Sequence, residues 1–149
     1  IINYVRRRHG LLIGEATAER VKKAIGTAWE ESDHREMEVK GRDVAQGMSH
    51  SLNIGSDDVY DAISDSLRQI VQVIRETLEN TPPELAADIG DRGMVIGGGG
   101  SLIRDMDRRL MQETGLPVVV ADDPLTCVAR GCGRALEDMS ALGDVFTHE

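Results

Sequence analysis

One run of residues constrains this chain more than any other. Val59, Ile63, Leu67, Ile70, Ile74 and Leu78 follow at steps of 4, 4, 3, 4 and 4. That spacing places all of them on one face of a helix about 25 residues, or about 37 Å, long. Ser56 starts the helix, and Asp57 and Asp58 fall in its first turn, where the dipole favours acid. Asn80-Thr81-Pro82-Pro83 stops it. A stripe this long demands a broad apolar surface to lie against.

The flanking segments supply that surface unevenly. Ile1 to His9 reads as the end of a helix, with Ile1, Ile2 and Val5 on one side and Arg6, Arg7, Arg8 and His9 before Gly10. Thr17 as N-cap opens a second helix to Ile25, with Val21 and Ile25 on its inner face. After a charged loop at Glu30–Glu36, Met37 and Val39 alternate with charge, Gly41-Arg42-Asp43 reads as a turn, and Leu52 and Ile54 alternate again. This pattern predicts a small antiparallel pair.

Beyond the long helix the pattern changes to strand, helix, strand, helix. Thr81 and Pro82 open a short helix to about Ile89. Met94–Ile96 is a strand, Gly97–Gly100 a turn, and Ser101 the cap of a helix with Leu102, Ile103, Met106 and Leu110 inward. Gly115 ends that helix and Val118–Val120 is a second strand, parallel to the first through a right-handed crossover. Asp123 and Pro124 open a last helix with Leu125, Val128, Cys132, Ala135, Leu136 and Met139 inward. Residues 140–149 carry no periodicity and are expected to fray. Two parallel strands make a thin sheet for so many helices. With Ile1 rather than Met at the start, the expectation is a chain cut from something longer, with part of the sheet elsewhere.

Composition removes several functions. The 149 residues are 40% hydrophobic and 29% charged, as in globular domains. The net charge of −9 argues against binding a phosphate backbone. Aromatics at 3% (Tyr4, Trp29, Tyr60 and Phe146) make no stacking platform. No apolar run approaches the ~20 residues that span a bilayer, and no secretory signal is visible. Cys127 and Cys132, five apart, fit neither a disulfide framework nor a zinc site and read as small core residues in a reducing cytosol. His9, His34, His50 and His148 lie in polar or terminal stretches without metal spacing, so neither a metal site nor a catalytic set is expected. Arg104, Arg108 and Arg109 read as solvated charge, and the pairs Asp57-Asp58 and Asp122-Asp123 as helix-start acids.

Two places could hold chemistry. The strand–glycine–Ser–helix join at 94–102 lies where open α/β sheets bind ligands, and its bare backbone admits close approach. It is neither a dinucleotide fingerprint nor a P-loop, and a tight turn needing positive φ is the competing reading. Glu19 with Lys22 can bracket a ribose, the acid accepting from hydroxyls; on its own, however, the pair reads as an ordinary surface pair worth about 0.3 kcal/mol.

The segments GLLIGEATAERVKKAIG (10–26), MEVKGRDVAQGM (37–48) and LENTPPELAADIGDRGMVIGGGGSLIRDMDRRLMQETGLPVVVADDPLTCVARGCGRALEDM (78–139) resemble the rod-shape-determining MreB family of bacterial actins. The match is dense and covers the second half of the family. It implies an α/β fold of the actin and ribonuclease-H-like ATPase type, with only the second large domain present. Residues 1–12 would be an inner-subdomain helix, 13–80 an outer α+β subdomain and long return helix, 81–139 an incomplete inner subdomain, and 140–149 a tail. Gly98, Gly99 and Gly100 would lie against adenine and ribose, and Glu19 and Lys22 would be the ribose- and adenine-side pair.

The resemblance further implies ATP or ADP with Mg2+ in the complete protein and filaments on the inner face of the cell membrane. Cell-shape and cell-wall synthesis proteins would be partners there. The family's phosphate loops and its water-positioning acid precede Ile1, so the chain alone is expected to hold an adenosine half-site without catalysis. Gly97 stands where relatives usually carry Thr, and Asp105 where they usually carry Gly. Two alternatives stay open: another ATPase of the same superfold, which as a chaperone would continue into a substrate-binding region, and a free-standing half-length module with a self-sufficient core.

Overall fold

A computed structural model describes residues 1–137, and the expected inward Met139 and the tail at 140–149 lie outside the described residues. The first half begins with α1 (Ile2–His9), β1 (Leu11–Leu12) and α2 (Glu15–Ile25), followed by β2 (Glu36–Asp43) and β3 (Ser49–Gly55). Gly10 ends α1 in the left-handed conformation, as the basic last turn predicts. The three strands form an antiparallel sheet in the order β1-β2-β3, with Val39 opposite Leu52 and Met37 opposite Ile54. The expected pair is thus a triplet, because two residues after Gly10 suffice to add an edge.

Gly41 lies inside β2, not in a turn. A side chain there would begin 2.6 Å from the Leu12 carbonyl oxygen and 2.8 Å from Leu11 Cγ, so glycine is what lets β1 close on β2. The reversal comes at residues 44–48 instead. Asp43 Oδ1 accepts from the Ala45 and Gln46 amides at 2.8 and 2.7 Å, which nucleates it.

α2 begins at Glu15 with Gly14 as its cap, so Thr17 is a helical residue and caps nothing. The helix lays Ala18, Val21 and Ile25 on the sheet. With Val5, Leu11, Ile13, Val39, Ile54 and Val59 they form the first core.

The long helix α3 (Ser56–Glu79) has the expected bounds. Asp58 accepts from the Gly55 amide at 3.2 Å and also meets His9 Nε2 at 3.0 Å, which ties the end of α1 to the start of α3. The stripe drifts by one residue: Val59, Leu67 and Val71 are buried, while Ile70 is 41% exposed. The partner decides this, because the lower half of α3 faces a different core from its upper half. That second core holds Ala28, Leu67, Val71, Met106, Leu110 and Val118.

α4 (Pro83–Arg92) follows, preceded by Pro82 as cap. Thr81 does not cap it; its hydroxyl donates back to the Thr77 carbonyl at 2.7 Å. β4 (Met94–Ile96) and β5 (Val118–Val120) pair in parallel, joined through α5 (Met106–Thr114). The last described element is α6 (Cys127–Glu137).

Two inward assignments fail. Ser101 begins no α-helix: Gly99–Leu102 is a 3₁₀ turn, Leu102 is exposed, and α5 starts five residues later at Met106. Leu125, Val128 and Leu136 are 67%, 74% and 72% exposed, and Cys132 is exposed too. The two-stranded sheet gives Met94, Ile96 and Val118 to the second core. Val95 and Val119 on its other face are exposed, and among the described residues no strand covers the apolar face of α6.

Gly41→Val should destabilise the protein by about 2 kcal/mol through overpacking against β1. Leu67→Ala should cost about 2–5 kcal/mol through a core cavity. Urea unfolding followed by circular dichroism measures both.

Candidate functional site

The C-terminal end of β4 runs into the glycine turn. Gly98 has φ +79, a conformation suited to glycine, and its amide donates to the Pro124 carbonyl at 2.7 Å. Ser101 is buried, and its hydroxyl donates to the Gly98 carbonyl at 2.7 Å, which locks the turn from behind. Gly99 and Gly100 are thereby presented outward.

They face α2 across a cleft of about 650 Å³ lined by Glu19, Lys22, Lys23, Gly99, Gly100, Leu102, Ile103 and Leu125. The fold therefore unites Glu19 and Lys22 with Gly99 and Gly100, from opposite ends of the chain. Gly98 stands behind this wall as the pivot of the turn. Lys23, Leu102, Ile103 and Leu125 join the lining without having been foreseen. Their signal was ambiguous, since the helical spacing of Leu102 and Leu125 reads as core.

Glu19 meets Lys22 Nζ at 2.6 Å and Lys23 Nζ at 3.4 Å. The Lys22 hydrogen bond holds the Glu19 carboxyl below the usual range, with partial desolvation acting against it and Lys23 adding to it. Glu19 is therefore an ionised acceptor near neutral pH. The cleft offers an acceptor for hydroxyls, two ammonium donors, bare backbone and apolar walls. That donor set fits a flat heterocycle carrying a hydroxylated sugar.

Arg104, just before α5, and Arg108 and Arg109 within it are not simply solvated. Arg104 donates from Nη2 to the Asp33 carbonyl at 3.0 Å. Arg109 donates to Tyr60 Oη at 3.1 Å and pairs with Glu113 at 3.0 Å. The Arg108 guanidinium lies 4.7 Å from the centre of the Trp29 ring. Arg104 and Arg108 thereby hold residues 27–35 against the start of α5, while Arg109 ties α5 to α3. The other end of that segment is held at α3: His34 meets Asp57 Oδ1 at 3.2 Å and Glu36 Oε1 at 3.3 Å, and the Ser56 amide donates to the Arg35 carbonyl at 2.8 Å.

Among the described residues no group of three or more His, Cys, Asp or Glu could hold a metal ion. Among them, too, no helix is long and apolar enough to cross a membrane.

The architecture is mixed α/β, and comparison with known proteins gives its actin-like fold and its family. The family model described as MreB/Mbl protein matches residues 1–144. The chain belongs to the MreB/Mbl family. It is 55% identical to the cell shape-determining protein MreB of Escherichia coli K12 over 100% of this chain and 43% of that protein. It is 43% identical to the cell shape-determining protein Mbl of Bacillus subtilis over 95% of this chain and 43% of that one.

Among solved structures it is similar to MreB5 of Spiroplasma citri bound to AMPPNP, with a TM-score of 0.88 and 35% identity over 97% of this chain and 43% of that one. The MamK double helical filament shares the fold, with a TM-score of 0.72 at 23% identity. The chain thus spans less than half the length of the relatives it matches.

The His34 contacts give a pH prediction. Its hydrogen bond to Glu36, then that to Asp57, raise its pKa above the ordinary 6.5. A raised folded pKa contributes stability that is complete below 6.5 and is lost as pH rises through the folded value. His34→Gln should flatten that part of the stability–pH profile, measured as urea midpoints from pH 5.5 to 8.5; a profile unchanged in shape would show that the contacts do not couple to folding.

Proposed function

We propose that this chain forms most of the second large domain of an ATP-binding, actin-like cytoskeletal protein. The complete protein would form filaments at the cytoplasmic face of the cell membrane, where they direct cell-wall synthesis and maintain rod shape. In this reading α2 and the β1-β2-β3 sheet form the small outer subdomain, and the β4-β5 unit belongs to an inner subdomain whose sheet continues in the rest of the protein. The exposed faces of Val95, Val119 and α6 support that continuation.

The observation that carries the reading is the cleft between Glu19–Lys22 and Gly99–Gly100. Adenine would lie between the glycine backbone and Leu102, Ile103 and Leu125. Glu19 would accept from the ribose hydroxyls, with Lys22 orienting the carboxylate. The nucleotides in the MreB5 structures, AMPPNP and ADP, support the choice of ligand. The phosphates and their Mg2+ would be held by residues outside this chain, so the chain alone supplies a half-site and no catalysis. Cell-shape and cell-wall proteins are the expected partners of the filament, and nucleic acid is not.

In the full-length protein, Glu19→Ala should weaken ADP binding about 10-fold, the loss of one charge-assisted hydrogen bond. Its melting temperature in the absence of nucleotide should stay within about 2 °C, as for an exposed surface position. Fluorescent-ADP titration and ATP-dependent sedimentation test this directly. An unchanged ADP affinity would refute the assignment of the cleft, and sedimentation indifferent to ATP would refute the filament reading.

A further inference from the structure

The two walls of the cleft are separate stretches of chain, and each continues directly into a single polar clasp. The α2 wall passes from Lys22 and Lys23 through Ile25 and Gly26 to Thr27. The glycine wall passes from Leu102 and Ile103 to Arg104 and Asp105. At this junction Thr27 and Arg104 form an isolated parallel β-bridge, and the Ala28 amide donates to the Arg104 carbonyl at 2.8 Å. Thr27 is buried, and its Oγ1 also lies 3.4 Å from that carbonyl oxygen.

A hydroxyl chain extends the bridge. Thr27 Oγ1 and Ser32 Oγ lie 2.6 Å apart, and Ser32 Oγ donates to Asp105 Oδ2. Arg104 closes the ring by donating to the Asp33 carbonyl. Asp105 itself has φ +59, a left-handed conformation that a non-glycine residue adopts at a cost, held here by the contact its carboxylate makes.

We propose that the Thr27–Ser32–Asp105 clasp, with Arg104, is a positioning device that sets the spacing of the two cleft walls. Ser32 and Asp105 are positioning residues: neither lines the cleft, and both act through the bridge between Thr27 and Arg104. Among the described residues the Thr27–Arg104 bridge is the sheet pairing that joins the two walls, so the separation of Glu19 from Gly99 and Gly100 follows from this junction. A carboxylate at Asp105, where glycine would fit the backbone without strain, draws the 27–33 strap against α5. The inference rests on the adenosine reading of the cleft and adds to it the residues that set the pocket's width.

Asp105→Gly separates positioning from stability. Glycine suits φ +59, so the variant removes the carboxylate while relieving the backbone. In the full-length protein two readouts apply. Without ligand, the Ala28 amide should exchange with solvent about 10-fold faster in Asp105→Gly, while the Ile54 amide in the first core keeps its wild-type rate. With ADP, affinity should fall about 3- to 10-fold although the melting temperature is unchanged or raised. Ser32→Ala should reproduce both effects, and the double variant should be no worse than either single one.

Unchanged exchange at Ala28 would overturn the clasp. Faster exchange with wild-type ADP affinity would overturn its positioning role while leaving the adenosine site intact. If the wild-type protein binds ADP but Glu19→Ala does not weaken it, the cleft is misassigned and this inference falls with it; the exchange data distinguish that failure from failure of the clasp.

Discussion

Everything else in the structure depends on one helix being shared by two cores. α3 gives Val59 to the core beneath the antiparallel sheet, and Leu67 and Val71 to the core beneath the parallel pair. A helix of this length is stable mainly through what its apolar face covers. Here neither core alone spans it. The rigid rod between them lets a small three-stranded sheet and a two-stranded parallel unit hold a defined geometry with few direct contacts of their own. His9 against Asp58 and Arg75 against Glu113 brace the rod near its two ends, the latter pair at 2.7 Å.

The cleft is a consequence of that division. α2 belongs to the first core and the glycine turn to the edge of the second, so the gap between them is a gap between two packing units. Such gaps are where ligands settle, because each wall is already rigid and the polar groups facing inward need not be desolvated by folding. The 27–35 strap crosses the same division. It is fastened by hydrogen bonds and by Arg108 over Trp29, with Ala28 seated in the second core. Asp105, in a left-handed conformation, accepts a hydrogen bond from Ser32 of the strap.

Much of this architecture was legible in the residues because the signals were local. The bounds of α3, the glycine endings of α1 and α5, the parallel pair and the four-glycine join all follow from periodicity and capping within a dozen residues. The errors share a cause as well. Gly41 reads as a turn, and only the approach of β1 shows why a strand needs it bare. Ile70 and Val71 satisfy a helical period almost equally, and the direction from which α5 arrives decides between them. Leu125, Val128 and Leu136 have the spacing of a buried face, yet spacing says nothing about whether a partner surface is at hand. Arg104, Arg108 and Arg109 carry the composition of a wet surface, and only the strap and Tyr60 of α3 turn them into anchors.

The sequence by itself determined the long helix α3, the parallel strand pair, the glycine endings of α1 and α5 and the family to which the chain belongs, because each of these shows in short stretches of neighbouring residues. The tertiary structure decided which of two adjacent residues is buried, and it decided that a surface Glu–Lys pair on one helix faces a glycine turn some eighty residues away. It also joined Thr27 to Arg104, 77 positions apart, which no local pattern encodes. Proximity at that range is set by the packing of whole elements on α3. A property of the assembled cores cannot be read from any window of the chain.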